Sequence, residues 1–106
     1  MNIGGDYSEM GVMMRQYLQW MTQKHYSKDT VVDYTTSLKF FNRWCRDRDL
    51  TAPQDITLGI LEKYQHHLAS IRNDKKKPLN IDSQAKHLTV VRMFFRWLAK
   101  CNHLLY

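Results

Sequence analysis

Apolar residues in this chain recur every three or four positions along four separate stretches, rather than alternating with polar ones. Met10, Met13, Met14, Tyr17, Leu18 and Met21 mark the first stretch. Val31, Tyr34, Leu38, Phe41 and Cys45 mark the second, with Trp44 beside them. Leu61, Tyr64, Leu68 and Ile71 form the third, and Ala85, Leu88, Val91, Phe95 and Leu98 the fourth. That spacing gathers side chains on one face of a helix, whereas a strand requires a period of two. Only four Gly and two Pro are present to build the many turns of a sandwich or barrel, and 106 residues enclose one core rather than two. The expected fold class is all-α, a compact bundle of four main helices. Phe94 and Trp97 lie off the main stripe of the fourth, so that helix is apolar on more than one side and should sit centrally.

Local signals punctuate these stretches. Residues 1–8 carry a Gly pair and no periodicity and are expected to form a flexible tail before a domain over 9–106. The first helix should end near His25. Ser27 is placed to accept a hydrogen bond from the Thr30 backbone, with Tyr26 and Val31 as a hydrophobic staple and Asp29 favoured by the helix dipole. Thr57 is the expected cap of the third helix, flanked by Ile56 and Leu61 as a second staple, and Asn80 the cap of the fourth, which should run to about Asn102. Between them Asn73-Asp74-Lys75-Lys76-Lys77-Pro78 forms a charged loop.

The chain carries 16 Lys and Arg against 10 acidic residues. Seven basic and six acidic residues fall in 1–53, nine and four in 54–106, so the surplus lies in the second half. A lopsided positive charge suits a polyanionic partner, nucleic acid before membrane, because no amphipathic anchor or lipidation motif accompanies it. A solvated surface tuned for solubility accounts for the charge alone equally well. Cys45 and Cys101 lack CxxC spacing and read as free thiols of a reducing, cytoplasmic (nucleoid-associated) compartment. His66 and His67 are adjacent on one helix and cannot chelate together. No HExxH, GxxxxGK[ST] or GxGxxG occurs, and Asp47 and Asp49 flank Arg48 as solvated loop residues. No catalytic residue, metal site or cofactor is therefore assigned.

Sliding the second helix onto the fourth by 53 residues aligns Asp29 with Asp82, Thr30 with Ser83, Thr36 with Thr89, Lys39 with Arg92, Phe41 with Phe94, Arg43 with Arg96 and Trp44 with Trp97. Capped amphipathic helices resemble one another for ordinary reasons, and that account is preferred. The correspondence still directs attention to two helix starts that offer hydroxyls near a positive N-terminus.

Two stretches together resemble a known family. One is Ser27-x-x-Thr30-x-x-x-Tyr34-x-x-x-Leu38-Lys39-x-Phe41-x-x-Trp44. The other runs from Ser83-Gln84-Ala85-Lys86-His87-Leu88-Thr89 through Val90-Val91-Arg92-Met93-Phe94-Phe95-Arg96-Trp97-Leu98. Both are similar to the N-terminal, SAM-like core-binding domain of tyrosine recombinases and phage integrases, over roughly residues 10–106. The resemblance implies a helical domain that clamps duplex DNA opposite a separate catalytic domain, with further recombinase protomers as partners on DNA. It implies that this chain is a fragment ending at Leu104-Leu105-Tyr106, where a linker would lead onward.

Carried over residue by residue, Ser27, Lys28 and Thr30 match phosphate-positioning sites, and Tyr34 matches an aromatic that belongs either to the core or to a DNA-backbone contact, the core being preferred. Ser83, Lys86, His87 and Thr89 match polar positions facing DNA, and Arg92 a basic position one turn on. Gln84 reads a base edge if it points outward. Lys86 and His87 stand where a pair of Arg or Lys is frequent, which makes the second cation pH-dependent. Lys75, Lys76 and Lys77 are further candidate phosphate contacts, though a lysine run in a loop is more often simply solvated. Two alternatives stay open: a helix-turn-helix regulator, disfavoured because no short Gly-containing turn joins two short helices, and a helical protein-interaction module using Trp97 or Phe94.

Overall fold

The computed structural model describes residues 7–101. Four helices follow one another: α1 (Glu9–Gln23), α2 (Lys28–Arg46), α3 (Leu58–Ser70) and α4 (Ile81–Lys100), with a 3-10 turn at Pro53–Asp55 before α3. The expected end of the fourth helix at Asn102 and the tail residues 1–6 lie outside the described residues.

Each helix begins where a side-chain oxygen stands in for the missing preceding turn. Ser27 accepts from the Thr30 backbone, Thr57 from Ile60 and Asn80 from Asp82. Ser8, within the stretch expected as a tail, caps α1 in the same way through the Gly11 backbone N–H. The first two helices end alike and without glycine. The Tyr26 N–H donates to the Met21 carbonyl and that of His25 to Thr22; after α2, Leu50 donates to Cys45 and Asp49 to Arg46. This pairing requires a left-handed residue, supplied by His25 (φ 64°) and Asp49 (φ 58°). Leu50 then packs against the core, and the Tyr26 ring lies 6.1 Å from that of Trp20.

The core draws on all four helices: Met10, Met14, Tyr17 and Met21 from α1, Leu38, Phe41, Trp44 and Cys45 from α2, Tyr64 and Leu68 from α3, and Val90, Val91, Phe94 and Leu98 from α4. α4 packs against each of the other three helices, as its extra apolar side implied. Its buried stripe, however, is displaced from the expected one. Phe94 is fully buried, Phe95 only partly, and Ala85 is exposed. The cause is the neighbours on that side: the Phe94 ring lies 5.6 Å from Tyr17 of α1, while Phe95 meets Phe41 edge-on at 6.2 Å from the margin. The loop after α2 is bound to the start of α1, where Met10 N–H donates to the Thr51 carbonyl and Gln54 donates to Glu9.

Two substitutions test this account in urea denaturation. Phe94→Ala should cost about 3–5 kcal/mol, and Phe95→Ala distinctly less. His25→Gly should relieve the left-handed backbone for a net gain of about 0.5–1 kcal/mol, after the extra freedom glycine gives the unfolded chain.

Candidate nucleic-acid interface

α2 and α4 run in the same sense and cross near Ser37 and His87. Contacts in order along both helices define that direction: Asp33 with Lys86, Ser37 and Phe40 with His87, and Phe41 with Phe95. At the crossing, His87 Nδ1 lies 2.9 Å from the Ser37 hydroxyl. Its ring stacks on Phe40 at 5.0 Å and 13°. Ser37 is buried, so this bond satisfies a hydroxyl that would otherwise be costly inside the bundle. Burial first, and the neighbouring Lys86 charge second, hold the His87 pKa below the usual histidine range. The side chain is thus stable as neutral imidazole and acts as a tie between helices, where the sequence suggested a pH-dependent cation.

Toward the helix starts, Lys86 Nζ and Asp33 Oδ2 form an ion pair at 2.9 Å, each side chain about half exposed. On the other flank of the crossing, α2 presents Thr36, Lys39, Phe40 and Arg43 around one shallow groove. Phe40 and Arg43 also wall a second groove with Trp44, Asp47, Arg48, His67 and Ile71. Arg48 is engaged locally: its guanidinium lies over the Trp44 ring at 4.4 Å and donates to the Trp44 carbonyl.

The other expected site residues are spread more widely. Ser27 and Lys28 are exposed at the start of α2, and the Ser27 hydroxyl donates to Thr30 Oγ1 at 2.7 Å while accepting from the Thr30 N–H. Ser83 is half-buried on α4 and Thr89 exposed. Gln84 does not offer its amide outward; Nε2 donates to the Leu79 carbonyl at 2.8 Å. Arg92 is exposed but stands apart, in a groove between α3 and α4 with Leu58, Leu61, Glu62, Gln65, Leu88 and Val91. Lys75, Lys76 and Lys77 are exposed on a tight turn in which Asn73 Oδ1 accepts from the backbones of Lys75 and Lys77 and Lys76 is left-handed (φ 60°). Of the aromatics considered for protein contacts, Phe94 is wholly interior. Trp97 is half-buried in a groove with Tyr17, Trp20, Tyr26, Met93, Arg96 and Lys100.

Among the described residues no group of three His, Cys, Asp or Glu is placed to hold a metal ion, and no helix is long and apolar enough to cross a membrane. Cys45 is buried and free, its thiol pushed up to about 12 by burial, and Cys101 is exposed and free.

Residues 13–102 match the family described as phage integrase, N-terminal SAM-like domain. The chain belongs to that family. It is also 37% identical over 93 residues to tyrosine recombinase XerC 2 of Ralstonia nicotianae, an alignment covering 88% of this chain and 27% of that relative. The chain thus spans about a quarter of the length of the curated relative it matches. No solved structure matches it.

Within this SAM-like domain, sequence reasoning picked out Lys86 and His87 but not their partners Asp33, Ser37 and Phe40. A signal was available. The same 53-residue offset that aligns the two helices places Asp33 on Lys86, and opposite charges at equivalent positions of parallel helices are what a cross-helix ion pair requires.

His67 shares the His87 condition, its pKa lowered by burial and then by Arg48. As pH falls through the usual histidine value of about 6.5, the unfolded chain takes up protons at both positions before the folded domain does. The stability linked to these groups is therefore present above that pH and lost below it. Urea midpoints at about pH 7.5 and 5.5 should show the fall, and the His67→Gln/His87→Gln double variant should flatten it. An unchanged pH dependence in that variant would assign the effect to other groups.

Proposed function

We propose that this domain holds duplex DNA against the α2–α4 crossing and positions a recombination site for a catalytic domain elsewhere in a longer tyrosine recombinase. The observation that carries this reading is the crossing itself. Two helices of an integrase-family domain meet there, with Lys86, Thr36 and Arg43 exposed around them and Lys39 half-buried beside them. The family match and the likeness to a tyrosine recombinase support it. Strand cleavage and rejoining would belong to the remainder of such an enzyme, with this domain supplying affinity and register and no chemistry.

Within this reading the residues divide by physical role. Ser27, Lys28 and Thr30 address phosphates at the start of α2, the Thr30 hydroxyl keeping its own proton to donate while accepting from Ser27. Lys39, Arg43 and the Lys75–Lys77 turn add cations on the flanks. Ser83, Lys86 and Thr89 face the groove along α4, while His87 and Gln84 hold the α4 start in place. Arg92 would meet a more distant phosphate. Other recombinase protomers bound to the same DNA are the expected protein partners.

Anisotropy of a labelled duplex, titrated with this chain at several salt concentrations, tests the proposal. If about three phosphates are neutralised, affinity should fall about 40-fold between roughly 50 and 200 mM salt. Lys39→Ala and Arg43→Ala should each reduce the slope of log affinity against log salt by about one. Absence of duplex binding at low salt, accompanied by salt-insensitive self-association, would instead identify a protein-interaction module.

A further inference from the structure

The groove between α2 and α3 contains more than the proposed function uses. Phe40, Arg43, Trp44, Asp47 and Arg48 recur every three or four residues, so they share one face of α2 and wall this groove together. Opposite them stands His67 of α3. The two helices meet here through the rings of Trp44, Tyr64 and His67 rather than by close backbone packing, which leaves an open groove of about 380 Å³.

An intact duplex offers phosphates and base edges, and cations and hydroxyls suffice to hold its backbone. Here flat surfaces accompany the cations. The Phe40 ring is 38% exposed, stacks one face on His87 and lines both this groove and the next one along α2. The Arg48 guanidinium forms a second plate, 4.4 Å from the centre of the Trp44 ring and tied to the Trp44 carbonyl. Arg43 lies between them along the helix and is exposed. A nucleotide that has left the duplex stack has the matching chemistry. Its base presents π faces, which stack on aromatic rings and on Arg planes whatever the base, and its phosphate takes a cation. Asp47 would repel a phosphate standing alone, but a carboxylate accepts from the exocyclic amino group of adenine, cytosine or guanine. Because Phe40 touches His87 at the crossing, the groove continues the surface proposed for the duplex.

We infer that this groove receives one unpaired nucleotide of DNA, its base against Phe40 and Arg48 and its phosphate at Arg43. This rests on the reading of the α2–α4 crossing as a DNA surface.

The test is anisotropy of three labelled duplexes of one sequence, using the whole 106-residue chain. One is fully paired and reports the proposed function by itself. The second carries a single unpaired adenine, which spares the cost of extruding a paired base. The third carries an abasic nucleotide at the same bulge, keeping the extra phosphate without the base. The wild type should bind the adenine bulge about tenfold more tightly than the abasic one. Phe40→Leu keeps an apolar cover on His87 without a flat face, and should bring that ratio close to one. Arg48→Lys keeps the charge without the plane and should also lower it. Urea unfolding confirms that each variant is folded. Equal, salt-dependent binding of both bulged duplexes by the wild type overturns the inference and leaves the DNA-binding reading intact. A tenfold ratio retained by the variants places the base elsewhere and overturns it too. No salt-dependent binding to any of the three would remove both.

Discussion

The packing of α2 across α4 is the constraint on which the rest of this domain depends. Phe41 and Phe94 are buried on the inner side of the two helices, and α4 reaches α1 and α3 from the same position. On the outer side, Ser37 and His87 close the contact with one hydrogen bond, and Phe40 covers the imidazole. A buried hydroxyl and a partly buried imidazole are expensive apart and inexpensive together. The bond therefore penalises sliding of one helix along the other, since a shift of one residue leaves both groups unpaired. The surface around the crossing inherits its geometry from that register.

Helix starts were legible in the sequence because their chemistry is local. A Ser, Thr or Asn oxygen reaches backbone N–H groups two or three residues ahead whatever the rest of the chain does, and Ser27, Thr57 and Asn80 all cap as their positions imply. The inner face of α4 was less legible. A helix apolar on more than one side offers two adjacent stripes, and its own period cannot choose between Phe94 and Phe95. The choice falls to Tyr17 on α1 and Phe41 on α2, residues far away in sequence. Gln84 illustrates the same limit on a smaller scale. Its identity suits base recognition, yet the Leu79 carbonyl, just before the Asn80 cap, takes its amide.

The candidate site was legible by residue type and not by partnership. Lys86 and His87 stand out as polar residues in a family-like pattern, but what each can do depends on Asp33 and on Ser37 and Phe40 across the helix pair. His87 changes role as a result. Its contacts with Ser37 and Phe40 on α2, and a pKa held below the usual histidine range by burial, favour the neutral ring, so the positive charge available near the crossing at neutral pH comes from Lys86, Lys39 and Arg43.

The distribution of charge along the two helices separates what stability explains from what it does not. Asp29 and Asp82 sit in the first turns of α2 and α4, and Arg43, Arg46 and Lys100 in the last turns. All five are where the helix dipole favours them, so no ligand is required to account for them. Lys86 is different. It lies in the second turn of α4, toward the positive end of the helix dipole, which offers a cation no gain, and its ion pair with Asp33 is exposed enough to contribute little. Neither helix formation nor core packing selects for a charged pair at that point. A pair placed beside the Ser37–His87 bond, and adding little to stability, is a feature of the surface that the domain presents around the crossing.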